Sequence, residues 1–251
     1  MDAPAAADFP IAVLISGGGS TLLNLLELSA SGLLAAQVCG VVASRECAGL
    51  EYARAAGVPW AVVPRIASEA ARSGSVDPRS MRREGGSVDP RSMGRDRIAE
   101  FDPAEFSARV TAELDRWQPR MIVFGGFLSP YLPAPHYRGR VINIHPALLP
   151  QFGGPGMYGD RVHAAVLASG TQVSGCTVHL VDVEYDHGAI LAQRVVPVLP
   201  GDTPATLGAR VRQVERELYP EVINWFASGR LQAGPAGRLE LAPRDLLDGA
   251  T

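Results

Sequence analysis

The 251-residue chain reads as an α/β protein: a mostly parallel, twisted sheet with helices on both faces and an antiparallel hairpin toward the C-terminus. Three observations carry this reading. Short apolar runs rich in β-branched residues alternate with segments of helical spacing, the first run leads straight into three consecutive glycines, and after Ser174 two longer strand-like runs follow with only a turn between them.

Taken in order, Ile11–Ile15 is a buried-type strand, Ser16-Gly-Gly-Gly-Ser20 is a loop, and Thr21–Leu28 is a helix with Leu22, Leu25 and Leu26 on one face. Ala36–Ala43 is the second strand. The helix after it, Ala48–Ala56, is closed by Gly57 with Pro59 beyond. Trp60–Val63 is a third strand. Asp102 followed by Pro103 is an N-cap with proline at the first helical position, so a helix is expected over Pro103–Trp117. Met121–Phe124 and Val141–Ile144 are further apolar strands. Cys176–Val183 and Ala189–Val198 pair as a hairpin around Asp186-His-Gly188. Leu207, Val211, Val214, Leu218, Val222 and Trp225 recur at helical spacing and predict a long amphipathic helix over Pro204–Ser228, with a short strand pair in the tail from Leu231 to Leu241.

Hydrophobic residues make up 47% of the chain and charged residues 20%, which suits one globular domain over 1–251, with residues 1–10 expected to be a disordered N-terminal tail. A net charge of −3 argues against nucleic-acid or membrane-surface partners. No apolar run is long enough to span a bilayer. Cys39, Cys47 and Cys176 form no C-x-x-C pair and read as reduced thiols of a cytoplasmic protein. Gly74-Ser-Val-Asp-Pro-Arg-Ser-Met81 recurs word for word as Gly86–Met93. It holds almost no apolar side chains, so the segment 68–100 is expected to be a disordered, solvated loop insertion.

Three clusters carry chemistry. Gly17, Gly18 and Gly19, with Ser20 and Thr21 opening a helix, offer backbone N–H groups and a positive helix end to a phosphate. The loop lacks the lysine of a Walker motif and the third glycine of a dinucleotide fingerprint, the latter position being Leu22. In Val141-Ile-Asn-Ile-His-Pro146, Asn143 and His145 point to one face, roughly 6.5 Å apart along the strand. They stand at a strand's carboxyl end, where ligands bind in open α/β sheets. The third cluster is Val181-Asp-Val-Glu-Tyr-Asp-His-Gly188. If the strand continued, Asp182, Glu184 and Asp186 would share a face. No second well-spaced histidine suggests a metal, and the better use of one acid is to orient or exchange protons with His145.

Together, Ile15-Ser-Gly-Gly-Gly-Ser20, Asn143-Ile-His-Pro-Ala-Leu-Leu-Pro150, Gly175-Cys-Thr-Val-His179 and Tyr185-Asp-His-Gly-Ala-Ile-Leu191 resemble the phosphoribosylglycinamide formyltransferase family. The resemblance implies a Rossmann-like formyltransferase fold, with 10-formyltetrahydrofolate as co-substrate, glycinamide ribonucleotide as acceptor, no metal, and a monomer or homodimer in the cytoplasm, serving purine biosynthesis. By position it implies that Asn143 stabilises an oxyanion, His145 polarises the formyl group and moves protons, and Asp186 holds His145 or a water, with His179 in support. It gives the substrate phosphate to Gly17–Thr21 and Arg212, the ribose to Glu215, and the folate to Phe127, Leu128, Val181, Asp182 and Tyr185. Two departures stand out: Gly18 occupies a position that is commonly asparagine in the family, and Gly126-Phe-Leu-Ser-Pro-Tyr131 is shorter than the usual folate-region text. A formyltetrahydrofolate deformylase is the alternative within the fold and is expected to carry a regulatory domain before the first strand. A methionyl-tRNA formyltransferase is expected to add a C-terminal domain and a basic surface. From another class, a non-catalytic nucleotide-binding module would not require Asn143, His145 and Asp186 together, and a nicotinamide oxidoreductase is disfavoured by the incomplete fingerprint.

Overall fold

The computed structural model describes residues 9–65, 101–233 and 239–241. The insertion expected at 68–100 lies outside the described residues, as does the tail at 1–8; Phe9 is buried and Pro10 already opens the first strand. β1 (Pro10–Ile15) leads through the glycines into α1 (Ser20–Ala30), followed by β2 (Gln37–Ala43), α2 (Leu50–Ala55) and β3 (Trp60–Val62). Next come α3 (Pro103–Trp117), β4 (Met121–Phe124), a short 3₁₀ turn (Pro135–Tyr137), β5 (Val141–His145) and α4 (Asp160–Ala168). β6 (Val173–Leu180), β7 (Ile190–Pro197), α5 (Pro204–Ala227) and the pair β8 (Leu231–Ala233) and β9 (Leu239–Leu241) complete the described elements.

Seven strands form one sheet in the order β3-β2-β1-β4-β5-β6-β7. β1 to β5 run parallel, and β6 and β7 pair antiparallel at one side. β1 is central because it is apolar on both faces. Ile11, Val13 and Ile15 join α1, α2 and α5 in one core, whereas Ala12 and Leu14 join Phe106, Val110 and Leu114 of α3 in the other. That is the burial expected of a parallel strand covered twice. Each fully buried Leu, Ile or Phe contributes about 1.5–3 kcal/mol. The strand order reverses direction between β1 and β4, so the crevice at their carboxyl ends is where such a sheet receives ligands.

The helix ends follow their sequence signals. The Asp102 carboxylate accepts from the Ala104 amide at 2.8 Å ahead of Pro103, and α3 stops at Gln118 in the left-handed region. α5 opens with a reciprocal Thr203–Thr206 capping box. Its length is less expected, because it runs through Pro220. A proline inside a helix leaves the carbonyl four residues back without its donor. That carbonyl is Arg216's, and the buried Asn24 side chain of α1 donates to it at 3.0 Å. The interruption in α5 therefore becomes the tie between α5 and α1.

The hairpin departs from expectation in one respect that matters for the site. β6 ends at Leu180, not at Val183, and residues 181–188 form turns and bends. Gly188 lies so close to the Leu180 carbonyl that no side chain fits there, which closes the hairpin early. Asp182, Glu184 and Asp186 consequently do not share a strand face. Asp182 accepts from the Glu184 amide at 2.8 Å and lies 3.5 Å from His187 Nδ1, while Asp186 alone turns inward.

The Asn24 tie can be tested directly. Asn24→Leu is expected to destabilise the protein by about 1–3 kcal/mol, as a buried carbonyl loses its donor. Adding Pro220→Ala should recover part of that loss by restoring an amide four residues after Arg216. Urea unfolding of both variants reads the difference, and an unaltered midpoint for Asn24→Leu would refute the role of the tie.

Candidate active site

The site forms where β5 and β6 bring four polar side chains to one face. In the antiparallel register Asn143 faces His179, and His145 faces Thr177. Asp186 reaches the same point from the hairpin turn. Its Oδ2 lies 3.4 Å from His145 Nδ1 and its Oδ1 lies 3.5 Å from His179 Nε2. Oδ2 also accepts from the Gly154 amide at 3.0 Å. The grouping of Asn143, His145, His179 and Asp186 is thus the one expected from the sequence.

The hydrogen bonds assign the tautomers. His145 Nε2 is 2.8 Å from the carbonyl of Phe152, which can only accept, so Nε2 carries the proton and a neutral imidazole has its lone pair on Nδ1, toward Asp186. His179 Nδ1 likewise donates to the Leu180 carbonyl at 2.8 Å. Its Nε2 then accepts from Asn143 Nδ2 at 3.1 Å. This fixes the Asn143 amide with nitrogen toward His179. The second N–H of Asn143 has only a long 3.5 Å approach to Asp186 and stays available to an incoming acceptor.

Electrostatics follow from burial. Burial pushes the His145 imidazole below its ordinary value, outweighing the opposing influences of Asp186 and the Phe152 carbonyl, so it is neutral near pH 7. Burial alone would raise the Asp186 carboxyl. Against that, the Gly154 amide donates to its Oδ2 at 3.0 Å, and the carboxyl is held below the usual range, so it is ionised. The result is a neutral base with its free lone pair beside a carboxylate. A proton gained at Nδ1 would be stabilised on arrival.

Both partners of His145 are held in a backbone conformation that side chains other than glycine seldom adopt. Phe152 has φ 58° and Asp186 φ 56°. Such residues cost about 1–3 kcal/mol each and persist when their surroundings over-determine them. Here the left-handed turns aim the Phe152 carbonyl and the Asp186 carboxylate at one ring.

The glycine loop lies across the crevice. Gly19 has φ 72° and packs on the Gly49 backbone, so the fold itself demands glycine there. Gly17 and Gly18 have open space where a side chain would stand, so their glycines answer to no packing need in the fold. α1 begins with no side-chain cap and no acid in its first turn, which leaves its first N–H groups, including those of Ser20 and Thr21, to a ligand. The loop is braced by Ser16, whose hydroxyl bonds Ser44 at 2.8 Å and accepts from the Leu128 amide at 3.0 Å.

The other expected residues divide. Arg212 is exposed and forms no ion pair among the described residues, while Glu215, one turn on, is half-buried with its carboxyl pushed up to about 7 by burial against the opposing pull of Arg212. Leu128 and Tyr185 are exposed beside the site. Phe127, in contrast, turns its ring into the core, stacked on Phe106 and edge-on to Phe124, so only its backbone is available to a ligand. Val181 is half-buried against the same core, and the Asp182 carboxylate is occupied within its own turn.

Several participants escaped the sequence reading. Arg45 donates through Nε to the Ser16 carbonyl at 2.7 Å, placing a cation beside the glycine loop. Its position just after β2, at the carboxyl end of the sheet, was the available signal. Phe152 and Gly154 act through backbone groups, which their residue types do not announce. His163 is buried beside Arg212 and fits only because residue 208 is glycine.

Comparison with known proteins gives the family of the chain and the likeness of its fold. The formyl transferase family model matches residues 10–223. A chloroplastic phosphoribosylglycinamide formyltransferase of Vigna unguiculata is 36% identical, the match covering 88% of this chain and 62% of the relative. The Escherichia coli phosphoribosylglycinamide formyltransferase is 34% identical, over 88% of this chain and 89% of the relative. The chain thus spans less than two thirds of the plant relative's length but most of the bacterial one's. Among solved structures, glycinamide ribonucleotide transformylase 1 from Symbiobacterium toebii superposes with a TM-score of 0.71 at 30% identity, covering 96% of each chain. The phosphoribosylglycinamide formyltransferase of Coxiella burnetii gives 0.72 at 30% identity, covering 93% of each.

The three glycines are expected to separate in a stability measurement. Gly17→Ala and Gly18→Ala should change the unfolding free energy by less than about 0.5 kcal/mol. Gly19→Ala should cost about 1–3 kcal/mol, because it combines positive φ with a backbone clash. Equal losses at all three positions in urea would show that the loop is a structural turn throughout.

Proposed function

The chain belongs to the formyl transferase family, and from that premise we propose that it transfers the formyl group of 10-formyltetrahydrofolate to the amine of glycinamide ribonucleotide. The observation that carries the reading is the spare N–H of Asn143 standing beside a neutral His145 whose free lone pair faces Asp186. The ribonucleotide phosphate lies on the N–H groups of Gly17–Thr21, with Arg45 and Arg212 as cations, and Glu215 accepts from the ribose hydroxyls. The folate lies against Leu128, Tyr185 and the backbone of Phe127 and of residues 181–186.

In this mechanism the amine nitrogen attacks the formyl carbon and the carbonyl electron pair moves to oxygen. Asn143 donates to that oxyanion, an interaction that strengthens as charge develops. The attacking nitrogen gives its proton to His145 Nδ1, and Asp186 stabilises the imidazolium. The oxyanion pair then re-forms the carbonyl, the bond from carbon to the folate nitrogen breaks, that nitrogen takes the proton from the His145 imidazolium, and tetrahydrofolate and the formamide product leave the neutral imidazole behind. Holding both substrates in one crevice supplies much of the rate.

Release of tetrahydrofolate from 10-formyltetrahydrofolate, with and without glycinamide ribonucleotide, tests the reading. Release that depends on the ribonucleotide is expected. Release without it would make water the acceptor and the protein a deformylase. Asp186→Asn should fold normally and lose about a hundredfold or more in kcat. Because Asp186 raises the His145 value, the acid limb of the wild-type kcat/KM profile, already below pH 6.5, should move to still lower pH in that variant.

Glu215 gives a separate prediction. With its carboxyl near 7 it is about half protonated at pH 7. Ribose hydroxyls donate to the carboxylate and favour the ionised form, so binding of the ribonucleotide should release up to about half a proton at pH 7 through this group. Calorimetry in two buffers of different ionisation enthalpy measures the release, and Glu215→Gln should abolish that part of it.

A further inference from the structure

The phenol of Tyr219 is fully buried, and its hydroxyl meets backbone at the carboxyl end of β4 and near the start of β5. Its oxygen lies 3.1 Å from the Phe124 carbonyl and 3.0 Å from the Ile142 carbonyl. One O–H is shared between two acceptors, which belong to the last paired residues of β4 and to the residue before Asn143 in β5. Phe124 is the register partner of Asn143. The peptide whose carbonyl Tyr219 holds at Ile142 is the peptide that leads into Asn143 and sets the direction of its side chain.

Tyr219 also shares a helix face with the groups proposed for the ribonucleotide. Arg212, Glu215 and Tyr219 follow at intervals of three and four residues on α5. The Asn24 bond to the Arg216 carbonyl ties this stretch of α5 to α1, the helix that starts at the glycine loop. α5 thus touches the ribonucleotide crevice with one turn and the backbone of Asn143 with the next.

We infer that Tyr219 is a positioning residue for the formyl transfer: its hydroxyl, by clamping the carbonyls of Phe124 and Ile142, fixes the direction in which Asn143 presents its N–H to the developing oxyanion. The inference rests on the transfer reading above. Its physical basis is that oxyanion donors act only within a narrow distance, and misplacement by about 1 Å costs on the order of a hundredfold in rate. Burial keeps the phenol protonated at every working pH, so the clamp does not switch.

The experiment is a double-mutant cycle on the purified chain, with the wild type assayed first. A wild type that transfers no formyl group would sink the transfer reading itself and is distinguishable from any result below. Given wild-type transfer, Tyr219→Phe keeps the ring and removes the clamp, and kcat should fall about tenfold with both KM values within about twofold. In an Asn143→Ala background the same change should have no further effect on kcat. A fall of equal size in both backgrounds, or an unchanged kcat in Tyr219→Phe, would overturn the inference, since a merely structural hydroxyl acts regardless of Asn143. If removing the hydroxyl prevents folding, 3-fluorotyrosine at 219 keeps the shape and strengthens the donor. A kcat change confined to chains carrying Asn143 then supports the assignment, and an unaltered kcat overturns it.

Discussion

The Asp186 carboxylate is the interaction on which the site depends. It is a charge placed where burial alone would neutralise it, and it stays ionised with the Gly154 amide donating to Oδ2 and an Asn143 N–H turned toward Oδ1. Take the carboxylate away and Gly154 loses its acceptor, His145 Nδ1 loses its charged neighbour at 3.4 Å, and the second N–H of Asn143 loses the oxygen it is turned toward. Buried polar networks of this kind are costly when half satisfied and rigid when complete. The fold accepts backbone strain at Phe152 and Asp186 to complete this one.

The scaffold serves the same end by ordinary means. A strand buried on both faces puts β1 at the centre and the crevice beside it. The antiparallel turn of β6 onto β5 brings His179 opposite Asn143, which no parallel crossover of nearby residues would do. The proline of α5 frees a carbonyl that Asn24 takes, so the helices flanking the crevice are locked by a side chain to the very turn that carries Glu215. Local departures from ideal geometry are concentrated where parts of the site must meet.

Membership of the formyl transferase family sets the frame within which this chain's departures are read. The glycine at 18 leaves open space in the loop, and Arg45 stands beside it with Nε already held by the Ser16 carbonyl. A loop with open space at Gly18 and a cation beside it suits an anion bound mainly through backbone N–H groups. After Gly126, Phe127 turns into the aromatic core and Leu128 faces outward.

Much of this was legible in the sequence, for local reasons. Alternation placed Asn143 and His145 on one face, Asp102-Pro103 fixed the start of α3 to the residue, and the apolar spacing of α5 held even across Pro220. These features depend on neighbours within a turn or a strand, which a single sequence contains. What only the tertiary structure decided is long-range: that β6 leaves the sheet at Leu180 so that Asp186 alone turns inward, that Phe127 points to the core, that the Phe152 carbonyl selects the His145 tautomer, and that the Tyr219 hydroxyl bonds the carbonyls of Phe124 and Ile142. Backbone acceptors carry no residue signature, and a side chain's partner far along the chain is fixed only by how the layers pack. The sequence by itself determined which groups the site has; packing decided where their protons and lone pairs point.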